Sequence, residues 1–232
     1  VETVGAALTN YNYKGNLSPH RIFREWNFKE LALDQTNQYT VYIDTTSAVA
    51  LANGGITLTT AATDTKTCSY AFGGIHILAA KNPYVEFLFQ ADVITTLAVN
   101  AVLTDAVTEA SGLLPFLIAS GTTVTDTASN GVGFCFDTRA GTTRWHIVNT
   151  KANTQGGTVL SDAEENPDFA AATNVRLGIK LESDELATFY YNGVAVGQKT
   201  AATTAATPLV PYFGIRNTGA AAHVALLRCV RL

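Results

Sequence analysis

Tyr84-Val85-Glu86-Phe87-Leu88-Phe89-Gln90-Ala91-Asp92-Val93 sets Val85, Phe87, Phe89, Ala91 and Val93 on one side of an extended chain, and Glu86, Gln90 and Asp92 on the other. Side chains of a strand alternate between two faces, so this period of two describes a strand with one wet face and one face in a core. The same period returns in Val175, Leu177, Ile179 and Leu181 against Arg176, Lys180 and Glu182. It returns again near the C-terminus, where Val224, Leu226, Val230 and Leu232 are expected to share a face. These are the marks of half-buried antiparallel strands. Between the runs 186–191 and 194–198 stands Asn192-Gly193, and both residues tolerate the positive φ that a type I′ hairpin turn requires. Further strands are expected at 40–43, 55–60, 67–72, 75–80, 113–120, 131–136, 144–149 and 210–216, where β-branched and aromatic residues recur between Gly, Asn, Asp and Pro. Many short strands without helical crossovers imply an all-β fold, two packed antiparallel sheets of the jelly-roll kind. The Ala-, Thr- and Gly-rich stretches 45–55, 95–112, 150–158 and 199–208 are expected to be loops at the sheet ends.

Composition narrows the function classes. The 232 residues are 47% hydrophobic and 15% charged, which excludes a disordered chain, and 18 Gly with 6 Pro excludes a collagen-like one. A membrane-spanning helix needs about 20 apolar residues in a row; the strongest apolar run, 113–119, is short and contains Pro115. No membrane partner is expected. Fifteen Lys and Arg stand against 19 Asp and Glu, a formal charge of −4, and phosphate binding depends on clustered cations. The densest basic stretch, with Lys14, Arg21, Arg24 and Lys29, is interrupted by Glu25 and Glu30, so no nucleic-acid partner is expected. Cys68, Cys135 and Cys229 lack the spacing of a disulfide framework or zinc site and read as small buried hydrophobes, which fits a reducing cytoplasm. His20, His76, His146 and His223 are scattered singly, so neither a metal nor a cofactor is expected. The chain opens at Val1 with no Met, which suggests a removed initiator, and no signal-peptide apolar core follows.

Residues 1–38 differ from the rest in lacking alternation and read as an N-terminal arm ahead of a sandwich over 39–232. Ser18 is suited to cap a short helix whose first position is Pro19, and Ile22, Phe23 and Trp26 then share a face. That apolar face must dock on its own sandwich or on a neighbour.

The succession Gly55-Ile56-Thr57-Leu58-Thr59-Thr60-Ala61, then Pro83-Tyr84-Val85-Glu86-Phe87, then Gly131-Val132-Gly133-Phe134 followed by Trp145, resembles the concanavalin A-like sandwich of laminin-G and glucanase type. So do Val175-Arg176-Leu177-Gly178-Ile179, Phe189-Tyr190-Tyr191-Asn192-Gly193-Val194 and Pro211-Tyr212-Phe213-Gly214-Ile215-Arg216-Asn217. The resemblance covers roughly 39–232 and is closest to the Ala/Thr-rich versions in tailed bacteriophages, which are often virion proteins that decorate or cement the capsid. It implies a jelly roll located on the capsid exterior and made in the host bacterial cytoplasm.

The glucanase branch would place catalytic carboxylates at alternate positions of one strand facing one cleft. The chain has no Glu-x-Asp-x-Glu, and Asp162, Glu164, Glu165 and Asp168 surround Pro167 in what reads as a loop. Glu86 and Asp92 share a strand face but lie about 20 Å apart. The expectation is therefore a non-enzymatic virion protein that reinforces contacts between major capsid protein subunits. It would act as a symmetric homo-oligomer, with a trimer as the guess, and touch the shell through Ile22, Phe23, Arg24 and Trp26. The alternative is a lectin-like carbohydrate-binding module for host-surface adhesion, with Trp145 as a sugar-stacking ledge beside His146 and with Asp126 and Asn130 as loop contacts. Asp105 with Glu109, and Asp126 with Asn130, are also the nearest the chain comes to a calcium loop, though loop solvation explains them better.

Overall fold

The fold was obtained as a computed structural model, which describes residues 25–26, 28, 40–44, 46–52, 54–72, 76–106, 114–120, 123–156 and 168–232. In chain order the strands are β1 (Glu25–Trp26), β2 (Thr40–Ile43), β3 (Ala48–Ala52), β4 (Gly55–Thr59), β5 (Thr67–Ala71), β6 (Tyr84–Ala91), β7 (Leu97–Thr104), β8 (Phe116–Ser120) and β9 (Thr123–Asp126). They continue with β10 (Gly131–Asp137), β11 (His146–Lys151), β12 (Thr154–Gln155), β13 (Val175–Leu181), β14 (Ala187–Tyr191), β15 (Val194–Lys199), β16 (Val210–Asn217) and β17 (Val224–Arg231). One sheet of eight strands runs β15-β14-β13-β6-β17-β4-β3, with β1 added beside β17. A sheet of seven runs β12-β11-β10-β7-β16-β5-β2, and β8 and β9 form a separate hairpin. The two large sheets pack face to face as the expected jelly-roll sandwich.

The inward residues of each strand follow the alternation. Val85, Phe87, Phe89 and Ala91 of β6 meet Leu97, Val99, Ala101 and Leu103 of β7 and Val132, Phe134 and Phe136 of β10 in one core. An aromatic cluster fills its centre: Trp145 lies with ring centroids 4.9 Å from Phe169, 5.7 Å from Phe89 and 5.7 Å from Phe136. The Asn192-Gly193 turn forms as expected, with both residues at positive φ and Tyr191 opposite Val194.

The structure departs from several of these expectations. The stretch 95–112 contains β7, a central strand of the seven-stranded sheet, and 45–55 contains β3. In place of a strand over 75–80 there is one bridge from Ile77 to Leu209 and a 3-10 turn at Ala79–Lys81. The alternation of the last strand breaks at a bulge between Leu227 and Cys229, so Ala225 and Leu227 face the core before it and Val230 after it, while Val224 and Leu226 lie on the outer face. The expected arm helix over Ile22, Phe23 and Arg24 lies outside the described residues, but Trp26 is in β1, where Glu25 pairs Arg231 and Trp26 pairs Val230. Pairing with the end of β17 gives these backbone groups partners that a helix would have supplied internally. Just beyond, Phe28 turns at positive φ into the sandwich core, with its ring 5.9 Å from Tyr70.

Candidate functional site

Three surfaces of the sandwich could meet a ligand, and packing separates them. The outer face of the seven-stranded sheet carries Ala98, Asn100, Val102 and Thr104 of β7 beside Gly131, Gly133, Cys135 and Asp137 of β10, then His146, Val148 and Thr150 of β11. It is covered. Leu114, Phe116, Ile118 and Val124 of the β8–β9 segment pack on Val102, Cys135, Val148 and Tyr212 as a second hydrophobic cluster. The buried Asn100 amide ties the cover down in both directions, donating to the Phe116 carbonyl at 2.9 Å and accepting from the Phe116 N–H at 2.8 Å. Asp137, with a fully buried side chain, accepts from the Ile118 N–H at 3.1 Å and from the Arg139 guanidinium. Cys135 lies between them, and burial followed by the nearby Asp137 carboxylate pushes its thiol pKa far up, so it is inert as a nucleophile.

At the rim a depression of about 600 Å³ is lined by Ile94, Thr95, Thr138, Thr142, Thr143, Arg144 and Asp168. Its two charged groups serve each other, with the Arg144 Nε 3.7 Å from Asp168, which also accepts from the Thr143 hydroxyl at 2.9 Å. No aromatic ring lines it.

The outer face of the eight-stranded sheet is open and chemically equipped. Tyr84 of β6 is 38% exposed, and its ring reaches diagonally across the sheet over Gly178 of β13: a Cβ at that position would stand 2.4 Å from the Tyr84 hydroxyl and 2.9 Å from Cζ. Only a residue without a side chain lets the ring lie down there. Tyr190 of β14 meets it edge to face at 5.8 Å. Next along β6, Glu86 accepts from the Tyr84 hydroxyl at 3.0 Å, and Arg176 and Arg231 each come within 3.3 Å of its other oxygen. Partial burial and then the Glu86 carboxylate raise the Tyr84 phenol pKa far above its ordinary value, so its proton stays on and stays directed at Glu86. Two aromatic rings and the Arg176 guanidinium therefore share one accessible face, with the Glu86 carboxylate buried among its partners.

The sequence-expected sugar contacts lie elsewhere. Trp145 is 0% exposed beneath four phenylalanines, so it cannot be a ledge; on alternating geometry it is the inward member of the Trp145-His146 pair. Asn130 is buried, its carbonyl accepting from the Ala152 and Thr204 N–H groups and its amide donating to Asp105, so it ties loops together. Asp126 accepts from the Thr150 hydroxyl. Among the described residues no group of three or more His, Cys, Asp or Glu is placed to hold a metal ion. No described strand carries carboxylates at alternate positions. The residues that sequence reading missed were visible as its polar positions: Glu86, Gln90 and Arg176 stood opposite the apolar set, but nothing local showed that Tyr84 would reclaim the space above Gly178.

No protein-family model matches the chain, and no curated protein matches it. Solved structures do. It superposes on the β-glucanase of Bacillus licheniformis with a TM-score of 0.60 at 10% identity, over 90% of this chain and 96% of that one. The laminarinase of a Flavobacterium species gives 0.63 at 10% identity, over 89% and 97%. The catalytic domain of an endo-1,3-β-glucanase from Thermotoga petrophila gives 0.59 at 9% identity, over 89% and 94%. Nothing in these comparisons points to a bacteriophage origin. They also overturn the expectation of a non-enzyme, which rested on missing motifs and a passive sandwich, because the architecture is one that glycosidases use. By its fold, then, the chain is a concanavalin A-like jelly roll, similar in architecture to these glucanases.

Proposed function

We propose that the protein binds carbohydrate on the outer face of its eight-stranded sheet, the Tyr84 and Tyr190 rings stacking on sugar faces while the Arg176 guanidinium hydrogen-bonds hydroxyls. The observation that carries this reading is the Tyr84 ring laid over Gly178, a glycine whose empty side supports an exposed aromatic surface. Aromatic rings stack on apolar faces at little entropic cost, and a guanidinium offers a fork of donors to hydroxyl oxygens. The fold supports the same reading, since structures with this sandwich include enzymes named for β-1,3-glucans and for mixed β-1,3-1,4-glucans.

Affinity electrophoresis in gels containing a β-1,3-glucan or a β-1,3-1,4-glucan tests it. The chain is expected to be retarded, and Tyr84→Ala to weaken binding at least tenfold, about 1.4 kcal/mol. Tyr84→Phe keeps the stacking surface and is expected to keep most of the affinity. Unretarded migration in every glycan gel, or equal retardation of Tyr84→Ala and the parent chain, would defeat the proposal.

Gly178→Ala is a separate test of the platform. Its methyl must push the Tyr84 ring off the sheet, so binding is expected to fall as far as in Tyr84→Ala while the urea midpoint moves little. Unchanged binding would show that the ring's position does not matter.

A further inference from the structure

The β17 bulge has a consequence for charge. Without it, strict alternation from the outward Leu226 would turn Arg231 into the core; the inserted residue reverses the phase, so that Val230 points inward and Arg231 points outward to Glu86. Arg228 is the residue at the bulge itself. It reaches across β6, its Nε donating to Asn174 Oδ1 at 3.0 Å and its terminal nitrogen donating to Gln90 Oε1 at 3.2 Å. Both acceptors are neutral, and among the described residues Arg228 has no carboxylate partner. Two bonds fix the plane of its guanidinium and leave the rest of its N–H fork toward solvent. Nearby, Arg176 and Arg231 share the one Glu86 carboxylate, while Lys180 and Glu182 neutralise each other at 2.7 Å. Arg176 and Arg231 thus meet Glu86, and Arg228 follows at Gln90, along a strip that runs about 20 Å from Tyr84 to Gln90.

We infer that the ligand of this strip is an acidic polysaccharide, one bearing carboxylate or sulfate groups along its chain, and that Arg228 selects for the acid group. The inference rests on the carbohydrate-binding reading and deepens it. A pre-oriented guanidinium matches a planar carboxylate or a sulfate with paired hydrogen bonds, which a hydroxyl cannot return. Glu86, set among the arginines, disfavours a ligand with an unbroken row of charges such as a nucleic acid. It suits one in which neutral ring faces for the tyrosines alternate with acid groups.

The test uses the full chain, with polygalacturonate, a neutral β-1,3-glucan and single-stranded DNA as probes, each at low and high salt. Polygalacturonate is expected to bind at least tenfold more tightly than the neutral glucan at low salt, and to lose that advantage at high salt. Arg228→Gln is expected to lower polygalacturonate affinity at least fivefold more than neutral-glucan affinity, with Arg228→Lys recovering part of the loss. If the neutral glucan binds as tightly as polygalacturonate and Arg228→Gln affects both alike, the selectivity inference falls and the carbohydrate reading stands. If no glycan binds, both fall. Tighter binding of DNA than of polygalacturonate overturns the inference as well.

Discussion

Trp145→Ala is expected to lower the stability of the fold by about 3–5 kcal/mol, the range for emptying a large aromatic site that its neighbours cannot refill. Its ring touches Phe89, Phe134, Phe136 and Phe169, which come from β6, from β10 and from the segment before β13, so the cavity would open where both sheets and a connection meet. Neighbours held by three separate elements cannot collapse together. The indole N–H has no hydrogen-bond partner among the described residues, so the ring serves as packing volume and not as a polar anchor. Trp145→Phe, which keeps most of the volume and removes that orphaned donor, is accordingly expected to cost less than about 1.5 kcal/mol. Urea unfolding of the two variants decides the matter. A Trp145→Ala loss below about 1 kcal/mol would mean that the ring is not the centre of the core. Should Trp145→Ala fail to fold, Trp145→Phe still distinguishes packing from hydrogen bonding.

Acidification is expected to destabilise the protein through His146 before its carboxylates are protonated. His146 is buried on the covered face of the seven-stranded sheet, and neither ring nitrogen has a hydrogen-bond partner among the described residues. Burial lowers its pKa from 6.5 to about 4, against a smaller opposing pull from the Asp137 carboxylate. The unfolded chain takes up this proton near pH 6.5 while the folded one refuses it until about pH 4. The neutral form's stability is therefore complete above pH 6.5 and is lost as pH falls through that window. Between pH 7 and 4.5 the loss is about 2–3 kcal/mol. His146→Leu has no proton to gain and leaves no buried nitrogen unsatisfied. Its urea midpoint at pH 7 is expected to match or exceed the parent's and to fall much less on acidification. Equal losses in the two proteins over this interval would rule out His146 as the source.

Most of the sandwich could be read from residues taken in order. β6 and β13 have one wet and one dry face, and the alternation of Val85, Phe87 and Phe89 or of Val175, Leu177 and Ile179 records that directly. β7, Leu97-Ala98-Val99-Asn100-Ala101-Val102-Leu103-Thr104, was invisible for the opposite reason. All eight of its residues are buried, with the core on one side and the β8–β9 cover on the other, so no alternation is left to see. Its small side chains resemble loop composition because they must fit between two packed layers. Trp145 shows the limit for function: an indole next to a histidine in a strand suits the core first and a sugar ledge second, and the register that places His146 opposite Cys135 assigns it to the interior.

The sequence alone determined that the chain is all-β, where most strands and the Asn192-Gly193 turn lie, and which side of those strands is wet, because each depends on residues within a few positions of one another. Tertiary structure alone decided that one sheet face is sealed by a hairpin, that a bulge carries Arg228 and Arg231 to the other, and that Tyr84 lies over Gly178. Each of these depends on strands brought side by side from distant parts of the chain, a pairing that no local pattern encodes.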